Sequence, residues 1–419
     1  MHTTHTSPRH AVVIGAGIIG LSTAWCLQRD GWRVTVIDRD APGQGASGGN
    51  GAQLSYSYVA PLAEPSIWRQ LPKLLLKADS PLKFRLQADA RQWAWGLRFL
   101  AACRADVAEA TTAQLLALAA ESRAAFEQLL RTESLDCDHS TTGKLVLYPD
   151  SDSFAAAQRQ LDLQRRLGCQ PQFALTPQQC TDIEPTLADF AHRVAGGIHT
   201  PSEGAADCLK VCEGLHSRLA ERGVRFVLGS RVKGWAREGN RIAAIDTDVG
   251  QLVADAFVLA AGTDSARLGS LLGLDVPVYP LKGYSITLPL ESPAAASAAP
   301  KLSVTDLGRK VVFARLGDRL RVAGMAELVG ENLSIPPSRI DSLRATTADV
   351  FPHLPIMGDT AGWAGLRPAT PTGRPLVGSV PGAPANLMLN TGHGALGFTL
   401  AMGSAERVTN ALRESISLA

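Results

Sequence analysis

Near the start of the chain, the residues best suited to chemistry are three glycines, Gly15-x-Gly17-x-x-Gly20. They lie between an apolar run, Ala11-Val12-Val13-Ile14, and a stretch with helical apolar spacing from Ile18 to Gln28. The first glycine permits a tight strand-to-helix turn, the second lets a pyrophosphate approach the backbone, and the third lets helix and strand pack closely. The N–H groups of Ala16, Ile18 and Ile19 open that helix and present a positive dipole end to phosphates. Asp38 follows Gly20 by 18 residues and closes a second strand, Arg33-Val34-Thr35-Val36-Ile37, with Arg39 beside it. A carboxylate there accepts hydrogen bonds from an adenosine ribose and repels a 2′-phosphate. The pattern predicts a dinucleotide site rather than a purely structural glycine turn.

Other segments decide which dinucleotide. Ser47-Gly48-Gly49-Asn50-Gly51-Ala52-Gln53 supplies small and short polar residues just after the second strand, suited to a pyrophosphate and the edge of a flavin. Far along the chain, Thr391-Gly392-His393-Gly394-Ala395-Leu396-Gly397, with Thr399 beyond it, precedes a closing helix. Such a helix start can aim its dipole at the flavin N1/O2 edge and stabilise the charge of a reduced ring, which a nicotinamide cofactor does not require. FAD is the expected cofactor. Val232, Ala261, Gly262, Gly365 and Arg367 complete the expected contacts. His393 reads as a turn residue touching the flavin rather than a proton-transfer group.

Several further motifs carry a family resemblance. They are Tyr279-Pro280-Leu281-Lys282-Gly283-Tyr284-Ser285, Arg321-Val322-Ala323-Gly324-Met325-Ala326-Glu327, Gly365-Leu366-Arg367-Pro368 with Thr370-Pro371-Thr372-Gly373, and Asn390 to Gly397. With Gln53-Leu54-Ser55 and Tyr58-Val59-Ala60-Pro61, the chain resembles the FAD-dependent D-amino acid oxidoreductases, most specifically the bacterial D-amino acid dehydrogenases, over nearly its whole length. The resemblance implies a reaction. A D-amino acid loses its Cα hydrogen as hydride to the flavin, the imino acid hydrolyses to a 2-oxo acid and ammonia, and electrons leave to a quinone-type acceptor. It also implies FAD held non-covalently, since the covalent members use a cysteine near the C-terminal flavin segment and none lies beyond Cys212 here.

Such a site needs a cation for the substrate carboxylate, hydroxyls to orient it and an apolar wall. It needs no strong base, because the amine can lose its proton on entering a dry pocket. Arg367 is the expected cation, since a guanidinium holds a carboxylate through two parallel hydrogen bonds; its alternative is a bridge between domains. Tyr58 and Tyr284, two of five tyrosines, read as carboxylate donors or as core aromatics. Lys282 points at the flavin or out to solvent. The alternatives in function are a secondary-amine or cyclic imino acid enzyme of the same fold, and a flavin-bearing electron-transfer subunit of a larger complex.

Positioning these residues takes a substantial scaffold. The 419 residues, 45% hydrophobic and 19% charged, describe a globular chain longer than one ordinary domain. Lys+Arg 41 against Asp+Glu 39 leaves +2, too balanced for a nucleic-acid binder. Seven scattered cysteines predict free thiols and neither a disulfide framework nor a metal site. Ala11–Leu27 imitates a signal peptide, but glycines interrupt it and no small-residue cleavage site follows. The expected setting is therefore cytoplasmic, with peripheral contact at the inner face of the cell membrane through Trp93 and Trp95, flanked by Arg91 and Arg98, as an alternative to core packing.

The expected fold is α/β: a Rossmann-like FAD-binding domain with an inserted α+β substrate domain on an antiparallel sheet. The boundaries read as 1–80, 170–265 and 360–419 for the first and 81–169 and 266–359 for the second. Within them, helix is expected from Ser66 to about Leu130 and over 152–167 and 206–222, and a surface loop over 291–300.

Overall fold

The structure, a computed structural model, describes residues 8–68, 82–84, 87–166, 170–356 and 360–417. The N-terminal pattern folds as a β-α-β unit: strand His10–Ile14, helix Ile18–Arg29 and strand Arg33–Ile37. Gly31, at φ +85°, turns the chain from helix to strand in a conformation that favours glycine. Both strands join a six-stranded sheet with Ala256–Leu259, Leu387–Thr391 and Arg225–Val227 in parallel and Leu376–Gly378 antiparallel at one edge.

Alternate residues of these strands serve two cores. Ala11, Val13, Val34, Val36 and Val258 pack under helices on one side; Val12, Ile14, Ile37, Phe257 and Leu259 pack on the other. Continuous apolar strands follow from burial on both faces. Each of the valine, isoleucine, leucine and phenylalanine side chains contributes about 1.5–3 kcal/mol on burial. A three-stranded antiparallel sheet, Val232–Glu238, Arg241–Thr247 and Gly250–Val253, covers the second core.

The second large sheet has nine strands. Gly362–Ala369, Tyr279–Pro289, Arg319–Leu328, Val311–Leu316 and Ser303–Asp306 are antiparallel neighbours, continued by Lys144–Tyr148, Gly196–Thr200 and Phe173–Leu175. Two pairings are parallel, Ser303–Asp306 with Lys144–Tyr148 and Arg319–Leu328 with Leu82–Phe84, so the sheet is mixed rather than wholly antiparallel.

Sheet membership departs from the expected division at three places. Strands 173–175, 196–200 and 362–369 belong to the nine-stranded sheet, and helix Ala105–Glu133 packs with helix Gly397–Ser417 over the six-stranded one. Long-range pairing and packing decide these placements, and local periodicity is blind to both. Residues 80, 81, 169 and 359 at the expected boundaries lie outside the described residues, as does 167, the last residue of the helix expected over 152–167. The expected helix from Ser66 to Leu130 is interrupted by strand Leu82–Phe84 and by a break at 103–104. The expected loop 291–300 holds a short helix, Pro293–Ala298, capped by the Ser292 side chain, with Ala295 and Ala299 buried.

Candidate functional site

Between the two large sheets lies a cavity of about 1990 Å³, lined by the Gly15 turn, the 43–53 loop, the 260–262 turn and the 390–399 segment. It also reaches Tyr58, Lys144, Leu281, Gly283, Met325, Trp363 and Arg367 on the other side. The volume exceeds that of most small-molecule pockets and suits a dinucleotide together with a substrate.

At the glycine turn, Gly15 takes φ +115°, and a Cβ there would lie 2.3 Å from the carbonyl O of Ala260. A Cβ on Gly20 would lie 1.8 Å from the carbonyl O of Gly15. Gly15 thus brings strand and turn together, and Gly20 lets the helix sit against them. Asp38 accepts from the N–H of Ala16 at 2.6 Å through one oxygen and from that of Asp40 at 2.9 Å through the other. Each oxygen keeps a lone pair for a ribose hydroxyl. Burial raises the Asp38 pKa. Ser47 Oγ accepts the N–H of Ile18 at 3.1 Å, so the hydroxyl caps the helix, leaving its hydrogen as the donor toward the cavity.

The 49–53 loop is gripped by the nine-stranded sheet. Ser285 Oγ donates to the Gly49 carbonyl at 2.7 Å, and Arg321 donates to the Asn50 carbonyl at 2.9 Å. Asn50 Oδ1 accepts the N–H of Ala52 at 2.8 Å, closing a turn in which Ala52 adopts φ +60°. Gln53 donates to the carbonyls of Val304 at 3.1 Å and Phe313 at 3.3 Å. The indole of Trp363 lies against two glycines: a Cβ on Gly49 would come within 2.2 Å of it and one on Gly365 within 2.0 Å. Ser285 and Arg321 lie in the motifs that carry the family resemblance, but their grip on this loop is not readable locally, because their partners lie 236 and 271 residues away; Trp363 carried no sequence signal.

Arg367 lies across from Leu281 in the pairing of strands 362–369 and 279–289. Its Nη1 donates to the carbonyl of Met325 at 3.0 Å, and Met325 holds φ +64°. Its guanidinium lies over Gly283, where a Cβ would fall 2.2 Å from Nη2. Desolvation lowers the Arg367 pKa to about 10. The pairing of strands 279–289 and 319–328 shifts between Lys282 and Tyr284, but the pairing with strand 362–369 runs unbroken, so Leu281, Gly283 and Ser285 share the cavity face and Lys282, Tyr284 and Ile286 the opposite one. Tyr58 lines the cavity too, with its ring over the Lys144 ammonium, 4.5 Å from the ring centroid. Burial pushes its phenol up to about 12.

Two expected roles change. Lys282 does not line the cavity; its buried ammonium donates to the Ser334 carbonyl and lies 5.0 Å from the Tyr284 ring centroid, because the strand turns it to the opposite side from Leu281. Tyr284 turns its ring away from the cavity into the core beneath helix Pro337–Val350, over the Lys282 ammonium, and its hydroxyl donates to Glu327 at 2.8 Å, with Glu327 paired to Arg339 at 2.5 Å. The phenol therefore serves the packing of the strand pair, the core-aromatic alternative, and donates nothing to the cavity. Of the other expected residues, Ala16, Gly20 and Gly392 lie behind the wall, Gly392 at φ +83° in the turn entering the 393–399 segment. The remainder, Ile18, Ile19, Arg39, Gly51, Val232, Ala261, Gly262, Gly394, Ala395, Leu396, Gly397 and Thr399 among them, line the cavity.

The sequence matches the family described as FAD dependent oxidoreductase over residues 10–411. The chain belongs to that family. A Ralstonia nicotianae protein named D-amino acid dehydrogenase 2 is 48% identical over 94% of both chains. A Pseudomonas aeruginosa protein of the same name is 44% identical, over 94% of this chain and 92% of its own. Among solved structures, glycine oxidase from Bacillus cereus superposes with a TM-score of 0.74, covering 97% of this chain and 95% of its own, at 19% identity; that likeness concerns the fold.

The protein is an FAD-dependent oxidoreductase, and its cavity carries the marks of a bound group. His393 is buried with both ring nitrogens unpartnered, as is Asn390 Oδ1, and burial pushes the imidazole down to about 3. A neutral buried imidazole without partners is costly unless a ligand supplies them. The helices beginning at Ile18 and Gly397 both start at the cavity wall, which suits an anionic pyrophosphate at one and the electron-rich edge of a flavin at the other.

Proposed function

We propose that this FAD enzyme oxidises D-amino acids, giving a 2-oxo acid and ammonia and passing electrons to a quinone-type acceptor. One observation supports this reading above all: Arg367, desolvated in the cavity wall, makes no ion pair with an acidic residue among the described ones, so its charge awaits an anion. The two D-amino acid dehydrogenases reported above agree with it.

When bound, FAD supplies the hydride acceptor. The chain's residues do the rest. Arg367 receives the substrate carboxylate in a bidentate pair. Tyr58 retains its proton and donates a hydrogen bond, its hydroxyl having no partner in the protein among the described residues. Leu281 and Met325 contribute an apolar wall that excludes water and favours the neutral amine. With the amine neutral, its lone pair forms the C=N bond as the Cα hydrogen departs with its electron pair. Purified protein should turn over D-alanine with an artificial dye, and inactivity with every D-amino acid would contradict the reading.

Gly283→Ala tests the seating of Arg367 without removing it. A Cβ at that position must push the guanidinium off the strand. KM for a D-amino acid should rise with FAD content unchanged; an unaltered KM would place the guanidinium elsewhere during binding.

Non-covalent attachment is the expected state of the cofactor. Acid precipitation should release the yellow chromophore to the supernatant, and colour kept in the pellet would contradict it.

For the acceptor, no helix of the described residues is long and apolar enough to cross a membrane. Helix Ala90–Ala102 instead exposes Trp93 (50%) and Leu97 (67%) one turn apart, whereas Trp95 is buried and stacked on Phe99 at 5.2 Å. Trp95 therefore belongs to the core, and Trp93 with Leu97 forms the face for a lipid surface where quinones reside. Part of the enzyme should sediment with membranes, and Trp93→Ser with Leu97→Ser should release it.

A further inference from the structure

Lys144 opens the buried strand Lys144–Tyr148, and its side chain lines the same cavity as Arg367. A lysine is rarely buried to this degree without a carboxylate partner. Its ammonium donates to Ser55 Oγ at 2.6 Å and lies beneath the Tyr58 ring, and it makes no ion pair among the described residues. The nearest compensation is Glu203, itself buried, with one oxygen accepting the Ser57 N–H at 2.6 Å and the other unpartnered. Lysine and glutamate thus clamp the ends of the segment 55–58 that carries Tyr58, and they do so without touching each other.

We infer that Lys144 is a positioning residue for the substrate carboxylate: its ammonium holds Tyr58 in the cavity wall and adds a second positive charge to the field of Arg367. The inference rests on the carboxylate-substrate reading above. It also replaces the cation expected at Lys282, whose ammonium is engaged outside the cavity.

The surroundings set the pH at which this charge is present. Burial pulls the Lys144 pKa down to about 8, with Glu203 opposing the fall. Arg123, from helix Ala105–Glu133, acts on Glu203; Tyr58 and Tyr148 hold their protons to higher pH. Glu64 and Lys310 lie further along the wall, and half-buried His199 flanks Gly143 with its pKa lowered by desolvation. A bound carboxylate favours the charged form of Lys144, so affinity falls as pH rises through about 8.

The experiment is calorimetric titration of the FAD-loaded enzyme with propionate, a carboxylate that cannot be oxidised at Cα as an amine and does not itself titrate above neutrality. Wild-type affinity should drop on the order of tenfold between about pH 7 and 9.5, one screened charge pair's worth. Lys144→Met should be weaker by the same factor already at pH 7, with a flat profile, and Lys144→Arg should restore tight binding and move the fall to higher pH. A Lys144→Met enzyme that keeps the wild-type affinity or its pH dependence overturns the inference alone. So does a Lys144→Arg enzyme as weak as Lys144→Met, which would assign the effect to packing. If Lys144→Met does not fold, a flat wild-type profile through pH 8 overturns it. Failure of propionate to bind the wild type at all contradicts the carboxylate reading and this inference with it.

Discussion

Replacing Arg367 with alanine should weaken D-amino acid binding by roughly 2–5 kcal/mol, the usual cost of truncating one partner of a desolvated, hydrogen-bonded charge pair. The size follows from the setting. The guanidinium is desolvated, has a backbone carbonyl rather than a carboxylate as its protein partner, and is seated over a glycine that leaves it room. Removing it leaves the substrate carboxylate in an apolar pocket with Tyr58 as its remaining donor. FAD content should hold, because the 15–20 turn and the 43–53 loop are untouched. Steady-state kinetics on the yellow variant provide the check, and an unchanged KM would assign Arg367 to the packing of the strand pair.

The second large effect separates two glycines of one motif. Gly17 has φ −75°, and a Cβ there would meet only Ser47 Oγ at 3.4 Å, so the protein without FAD should accommodate Gly17→Val. The new side chain occupies the approach of the pyrophosphate to the helix N-terminus. Losing two charge-assisted hydrogen bonds there would cost roughly 3–6 kcal/mol of FAD binding. Gly17→Val should therefore purify as a folded, colourless protein. Gly20→Ala puts a Cβ 1.8 Å from a backbone carbonyl and should instead lower the thermal midpoint or prevent folding. Circular dichroism and flavin fluorescence distinguish the outcomes, and a yellow Gly17→Val enzyme would place the pyrophosphate elsewhere.

The first β-α-β unit was legible because its signals are local. Apolar strands, Gly15, Gly20 and the Gly31 turn act within a few residues of each other, and the structure reproduces helix 18–29 and strand 33–37 almost as read. The partition of strands 173–175, 196–200 and 362–369 into the second sheet was not legible, since it depends on non-local pairings such as Phe173 with His199, Lys144 with Thr200 and Tyr279 with Ala369. Side-chain direction failed for the same reason. Lys282 and Tyr284 sit in a motif that marks the site, but alternation along the strand turns both away from the cavity and gives that face to Leu281, Gly283 and Ser285. Lys144 left a faint sign, a charged residue heading an otherwise apolar strand, and its meaning emerges only once Ser55, Tyr58 and Glu203 converge on it. The Ser292-Pro293 start of a short helix was a readable cap that the surrounding alanine and proline content obscured.

The central claim is that the cavity between the two sheets oxidises D-amino acids, and anaerobic mixing tests it most directly. The FAD-loaded enzyme is combined without oxygen or dye with D-alanine, L-alanine, sarcosine or proline, and the yellow colour is followed. The account predicts that D-alanine bleaches the flavin and yields the 2-oxo acid in amount equal to the FAD present, while the other three leave the colour intact. Bleaching by sarcosine or proline with none by D-alanine would contradict it in favour of a secondary-amine enzyme, and no bleaching by D-alanine or any other D-amino acid would contradict it outright.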